Sequence, residues 1–251
     1  MNPLLVPSDL DVVILCGGRG TRLGALSATT PKPLLPIAGR PFLLHLLMRL
    51  QGEGFTRVIL AAHYLAEQFR AFIQAQQSLM PEMELLVEPR PLGTGGALRY
   101  AAESVRSSTF VALNGDSWIA QPLAPVLEDH TQHARVFTGV VIPAAQVTGG
   151  ASAKGVWRIG ADRTVQGFIT QEQATNDWVN AGLYLLDRAF VRSWPLGAYS
   201  LEQHFATLLR GKAAGVFYSA ERLLDIGTPA CYESANRILA SADASLAAFR
   251  E

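Results

Sequence analysis

Residues 15 to 24 read LCGGRGTRLG, with glycines at 17, 18, 20 and 24 and arginines at 19 and 22. Glycine removes the Cβ that would hold a ligand away from backbone amides, and arginine forks onto phosphate oxygens, so these residue types suit a polyphosphate. Lys32 follows between two prolines, which places Arg19, Arg22 and Lys32 in one stretch that leaves an apolar run. Several cations beside free amides make an anion site. The spacing excludes two common phosphate loops: after Gly18 and Gly20 the next glycine is Gly24, one position too late for G-x-G-x-x-G, and no G-K-[S/T] completes a Walker loop.

Other residues with chemical potential are scattered. Asp116 stands near the end of VALNGDS and Asp225 lies in LLDIGTP, and by residue type alone each reads as a turn or cap aspartate, Asp225 more readily than Asp116. HTQH sets His130 and His133 on one helical face, but no third ligand stands near, so a solvated face is expected. Cys16 ends an apolar run and Cys231 falls in the final helix; both are expected to be packing residues, with no base positioned by sequence to activate them.

The elements that must carry these residues follow from hydrophobic periodicity. DVVILC (11 to 16) is too short and too branched for a helix and reads as a buried strand. PFLLHLLMRLQGEG has helical spacing with proline at its start and glycines at its end, and RVILAA repeats the strand pattern. The alternation continues with a helix from Leu65 to Gln76, a strand MELLVE, a helix from Thr94 to Ser104 and a strand TFVALNGD. Such alternation predicts a parallel sheet with ligands at the carboxyl ends of its strands. After about Gln121 the rhythm changes to ARVFTGVVIP, GVWRIG, TVQGFIT and DWVNAGLYLL, strand-like runs that predict an antiparallel or mixed half. SLEQHFATLLRG then predicts a helix capped by Ser200, GVFYSA a strand, and 229 to 248 a closing helix.

Composition sets the outer bounds. A chain of 251 residues with 21 basic and 21 acidic side chains has no global field to attract nucleic acid or an anionic membrane, so any basic site is local. Two cysteines make no disulfide framework, MNPLLVPSDLD lacks a basic signal-peptide start, and no uncharged apolar run approaches the roughly 18 residues a span needs. A cytoplasmic protein without nucleic-acid or membrane partners is expected. No linker or repeat divides it, so we expect one domain over 1–251, with a nucleotide half at about 9–120 and a sugar-phosphate half at about 121–240.

Continuing into TTPKPLLPIAGRP, the chain resembles the sugar-1-phosphate nucleotidyltransferases. Their G-G-x-G-T-R-L motif stands here at Gly17 to Leu23 and their P-K-P at Pro31 to Pro33. The likeness runs on in order through PLGTGGAL (91 to 98), NGD (114 to 116), NAGLYLL (180 to 186), SLE (200 to 202) and DIGTP (225 to 229). It implies an α/β fold, a Rossmann-like, mostly parallel twisted sheet flanked by helices with an antiparallel or mixed acceptor-binding half. The implied substrates are a nucleoside triphosphate and a sugar 1-phosphate, and the implied cofactor is Mg²⁺.

The same resemblance assigns residues. Leu15, Gly17, Gly18, Gly20 and Thr21 should wrap the nucleotide phosphates, with Arg22 on the β and γ phosphates and Lys32 where substitution occurs. Asp116 and Asp225 should hold the metal, Asp116 acting also in catalysis. A fixed cation fits this chemistry, because pentavalent phosphorus spreads charge over its equatorial oxygens. Glu88, Gly93 and Thr94 should border the base, and Asn114, Asn180 and Glu202 should face the sugar. GTGGA is more similar to the guanylyl enzymes than to the thymidylyl ones, which carry G-L-A-Q-A. The likeness therefore implies GTP as donor and a manno-configured acceptor, D-glycero-α-D-manno-heptose 1-phosphate. Relatives often self-associate, and a homo-oligomer is compatible with the chain.

One departure stands out. The family carries E-K after a strand phenylalanine to hold the sugar phosphate, whereas Phe168 is followed here by ITQEQ. Lys154, Arg158 and Arg163 are the candidates to replace that lysine. The departure keeps two alternatives open: uridylyl, thymidylyl or cytidylyl transfer to a hexose 1-phosphate, and a regulatory subunit that binds nucleotide-sugars without turnover. A dinucleotide-dependent oxidoreductase is disfavoured by the glycine spacing.

Overall fold

The computed structural model describes residues 4–147, 156–169 and 178–248. Strand β1 (Asp11–Leu15) is buried along almost its whole length, as a central strand must be. After it the chain makes a kinked 3-10 helix at Thr21–Ser27, a 3-10 turn at Lys32–Leu34 and a two-residue hairpin, β2 (Pro36–Ile37) and β3 (Arg40–Pro41). Helix α1 (Phe42–Gly52), β4 (Arg57–Ala62), α2 (Ala66–Ala75), β5 (Glu82–Val87), α3 (Gly93–Ala101) and β6 (Thr109–Asn114) complete the alternating half. Then come β7 (Ser117–Ile119), α4 (Leu123–Gln132), β8 (Phe137–Pro143), β9 (Val156–Ile159), β10 (Val165–Ile169) and β11 (Trp178–Asp187). The chain finishes with α5 (Arg188–Arg192), α6 (Leu201–Leu208), β12 (Ala214–Tyr218), β13 (Leu223–Asp225) and α7 (Pro229–Ala248).

Among the described residues one nine-stranded sheet runs through both halves. β6, β1, β4 and β5 are parallel, in that spatial order. β11 lies antiparallel on β6 and carries β8 and β9 antiparallel to itself; β12 pairs parallel with β8 and β10 antiparallel with β9. Alternate residues of β1 enter different clusters: Val12 and Ile14 pack with Phe42, Leu46 and Phe69, and Val13 packs with Leu98, Phe110, Trp157 and Tyr184. The period of two thus buries both faces of the sheet.

This architecture matches the α/β expectation, including the change from parallel to antiparallel pairing. Of α4 only the helical face carrying His130 and His133 was anticipated, and the short helix α5 was not anticipated as an element. Neither were β7 and β13, which pair antiparallel with Asp225 opposite Ser117. Asp116 does not end a strand: β6 stops at Asn114, and Asp116 occupies the turn into β7. His130 is a further correction, since it is buried beneath α4 with Nδ1 2.8 Å from Thr138 Oγ1, and burial lowers its pKa to about 4. His133, one turn on, is exposed as expected.

Candidate active site

β1 has β4 on one side and β6 on the other, so the loop leaving its carboxyl end emerges where the strand order reverses. Such a switch point opens a crevice. The crevice is a cavity of about 340 Å³. Leu15, Gly17 and Gly18 form one wall, Glu88, Gly93 and Thr94 the facing wall, and Asn114 and Asp116 lie at one end. All eight were expected to be site residues, and the fold assembles them from β1 and the loop after it, the loop entering α3 with the first residues of that helix, and β6 with the turn that follows it.

The glycine loop is built as the sequence demanded. Gly20 sits at φ +67°, in the left-handed region that lets the chain reverse before the 3-10 helix. The loop is held from behind by Ser27, whose Oγ donates to the Gly20 carbonyl at 2.8 Å. Among the described residues no protein acceptor meets the N–H groups of Gly17, Gly18, Arg19 and Gly20, leaving those donors for a ligand. Gly20 and Thr21 do not line the 340 Å³ cavity. Thr21 faces a neighbouring open cavity of about 410 Å³ together with Arg19, Ser27 and Tyr64.

At the far end, the buried Lys32 donates from Nζ to Asp116 Oδ2 at 2.7 Å. Ser117 Oγ donates to Asp116 Oδ1 at 3.1 Å and lies 3.5 Å from Asp225 Oδ2, while Asp225 Oδ1 accepts from the Gly227 amide at 2.7 Å. The β7–β13 pairing therefore brings together two aspartates about 110 positions apart in sequence. Arg22 joins them: its guanidinium reaches within 3.2 Å of where a side chain on Gly227 would begin. Two carboxylates bridged by a serine hydroxyl, with Asp116 lining the cavity, suit a hard cation that completes its shell with phosphate oxygens and water.

Glu88 accepts the Leu92 amide on Oε2 at 3.0 Å, and its Oε1 faces Gly17. Burial raises its pKa, opposed by that amide and by His63. Gly93, at φ +69°, lies so close to Tyr199 that a Cβ there would meet its carbonyl at 2.5 Å. Backbone of the second half is thus laid directly against the start of α3.

Asn180 and Glu202, expected to face the sugar, do not line the cavity. Asn180 donates from Nδ2 to Tyr184 OH at 2.6 Å and accepts the Gly182 amide on Oδ1 at 2.9 Å. Glu202 Oε2 accepts from Thr94 Oγ1 at 2.8 Å and Ser200 Oγ at 2.7 Å. Both border Tyr184, whose buried hydroxyl has its pKa raised by desolvation, then by the charge of Glu202 and, more weakly, of Asp116. Sequence reasoning did not single out Tyr184; its only signal was a phenol inside an apolar strand. Of the candidates to replace the missing lysine, Lys154 lies outside the described residues. Arg158 is exposed on β9, and Arg163 stacks 5.6 Å from the Tyr218 ring centroid at the β9–β10 turn. Neither lines the cavity.

Fold and site together define a nucleotide-handling α/β protein, and the model of the nucleotidyl transferase family matches residues 11–241: the chain belongs to that family. A mannose-1-phosphate guanylyltransferase of Mycobacterium tuberculosis is 33% identical over 225 residues, covering 88% of this chain. This chain spans 62% of that relative's length. A D-glycero-alpha-D-manno-heptose 1-phosphate guanylyltransferase of Aneurinibacillus thermoaerophilus is 28% identical over 233 residues, 92% of this chain and 98% of its own. Among solved structures, HddC from Yersinia pseudotuberculosis complexed with GMP-PN superposes with a TM-score of 0.78 at 27% identity, covering 92% of this chain and 99% of that one.

Proposed function

We propose that the chain transfers a guanylyl group from GTP to a manno-configured sugar 1-phosphate, D-glycero-α-D-manno-heptose 1-phosphate, forming a nucleotide-sugar and releasing pyrophosphate. The observation that carries the reading is the Lys32–Asp116 pair beside Asp225, at the end of a cavity walled by unpaired loop amides. A phosphate oxygen of the acceptor attacks the α-phosphorus, and the electron pair of the broken bond stays on the oxygen bridging to the β-phosphate. No side chain need act as nucleophile, so the cations and amides act by stabilising charge on the equatorial oxygens. Asp116 and Asp225 are the residues to hold Mg²⁺, which when bound reduces repulsion between the two reacting phosphates.

Guanine presents N1–H and a 2-amino group, and Glu88 with local carbonyls supplies acceptors on the wall facing the glycine loop. Adenine would leave those acceptors unpaired. The heptose acceptor is supported by the likeness to the heptose 1-phosphate enzyme and to HddC, and mannose 1-phosphate is the second reading, favoured by the mycobacterial relative. No helix among the described residues is long and apolar enough to cross a membrane.

Pyrophosphate release measured over four nucleoside triphosphates and the 1-phosphates of heptose, mannose, glucose and N-acetylglucosamine tests the proposal. The highest kcat/KM is expected for GTP with the heptose. A best rate with UTP, dTTP or CTP overturns the guanylyl assignment, and a best rate with mannose 1-phosphate replaces the heptose by the second reading.

A further inference from the structure

We propose that Arg19 is a contact for the departing pyrophosphate, and that the open cavity beyond it is the route by which pyrophosphate leaves. The proposal rests on the nucleotidyl-transfer reading above and adds to it a leaving-group residue and a direction of release. Arg19 lines two cavities at once: the 340 Å³ crevice between the glycine loop and α3, and the 410 Å³ cavity bordered by Thr21, Ser27 and Tyr64. One residue therefore borders both the reaction cavity and the outer one, with its guanidinium over Tyr64 on the outer side.

Its surroundings suit an anion. Among the described residues no carboxylate pairs with the Arg19 guanidinium, which lies 5.8 Å from the centroid of the Tyr64 ring. That ring is fixed, because the Tyr64 hydroxyl donates to the Ala28 carbonyl at 2.7 Å. An aromatic face holds a guanidinium in place while leaving its N–H donors free, unlike a carboxylate, which would neutralise it. The unpaired amides of Gly18, Arg19 and Gly20 lie on the same turn. When the bond to the α-phosphorus breaks, its electron pair remains on the bridging oxygen and the leaving group gains negative charge. A cation at this place is therefore worth more to the departing pyrophosphate than to the bound triphosphate.

The test compares the wild-type chain with Arg19→Gln and Arg19→Lys, using inorganic pyrophosphate with Mg²⁺ as the probe. Calorimetric binding and product inhibition of the forward reaction are both measured. For Arg19→Gln we expect pyrophosphate binding weakened about tenfold, the scale of a charge-assisted hydrogen bond at a partly exposed site. We expect partial recovery in Arg19→Lys, a KM for the sugar 1-phosphate within about twofold of wild type, and a smaller difference at high salt. Unchanged pyrophosphate affinity in a folded Arg19→Gln protein overturns the proposal, as does a wild-type chain that binds no pyrophosphate. If the wild type binds pyrophosphate through Arg19 but turns over no sugar phosphate, the Arg19 contact stands and the reading of the reaction fails. Should Arg19→Gln not fold, Arg19→Lys decides alone: a lysine lacks the guanidinium fork, so affinity equal to wild type counts against the contact.

Discussion

Lys32 is the residue on which the chemistry turns, because its position between two prolines fixes a buried ammonium 2.7 Å from the Asp116 carboxylate. A carboxylate has about four acceptor sites, so Asp116 can hold Lys32, Ser117 and a cation together. Lys32→Ala is expected to lower kcat by roughly 2–4 kcal/mol of transition-state stabilisation, in the range of other oxyanion donors, with a smaller effect on GTP binding. Asp116→Asn and Asp225→Asn should lose most of kcat in a protein that remains folded by circular dichroism. Near-normal rates in all three variants would place the chemistry elsewhere. Residue type and spacing made the glycine loop, Arg22 and Lys32 legible, because few other functions explain cations among glycines. Asp116 and Asp225 were ambiguous singly and became a pair only through likeness to a family. His130 was misread because spacing on a helix does not say which face is covered: Thr138 on β8 supplied a partner that the local sequence could not reveal.

At the scale of elements, the two halves meet in a clasp at the start of α3. Tyr199 accepts the amides of Gly95 and Gly96 at 3.1 and 3.3 Å, and its own amide donates to Leu92 at 2.8 Å. Thr94 Oγ1 accepts the Leu201 amide at 2.8 Å and donates to Glu202. Orphan groups at the start of one helix are thereby satisfied by the chain entering another. Thr94→Val keeps the shape but leaves the Leu201 amide without its acceptor, a cost of about 1–3 kcal/mol. Denaturant unfolding should report that loss, with GTP KM raised because the same turn walls the cavity. In a double-mutant cycle with Glu202→Gln, the shared hydrogen bond should make the effects non-additive. Strictly additive effects would mean that the clasp does not couple the halves. Helices α3 and α6 were readable from periodicity, whereas their contact spans 107 positions and leaves no local trace. The same holds for β7 and β13: three residues each are too few to show alternation, yet their pairing gathers the aspartates.

Across the whole molecule, β1 carries the glycine loop at one end and a buried ion cluster at the other. Asp11 Oδ1 accepts from Arg57 at 2.6 Å, Oδ2 accepts from the Ser107 amide at 3.0 Å and from the Arg106 amide, and Arg57 also reaches Glu84 at 2.7 Å. Burial alone would raise the Asp11 pKa, but the Arg57 hydrogen bond, the two amides and the arginine's charge outweigh it and hold the carboxyl below its ordinary 3.8. A depressed folded-state pKa contributes stability that is present above the unfolded value and lost as pH falls through the folded one. The wild-type cluster should therefore hold from neutral pH down to about 4 and weaken only in stronger acid. Arg57→Ala strips the partner from a buried carboxylate, at a cost of roughly 3–5 kcal/mol at pH 7. With Arg57 gone, its hydrogen bond and charge no longer oppose burial and only the Ser107 and Arg106 amides do, so the Asp11 pKa rises. The variant should therefore lose less stability than the wild type as the pH falls into acid. Urea midpoints measured from pH 7 to pH 3 separate the two behaviours. Parallel pH curves for wild type and Arg57→Ala would show that Asp11 is not held by Arg57. Because the cluster and the crevice occupy opposite ends of the same strand, about 13 Å apart at the rise of an extended chain, the variant should keep its GTP KM wherever it remains folded.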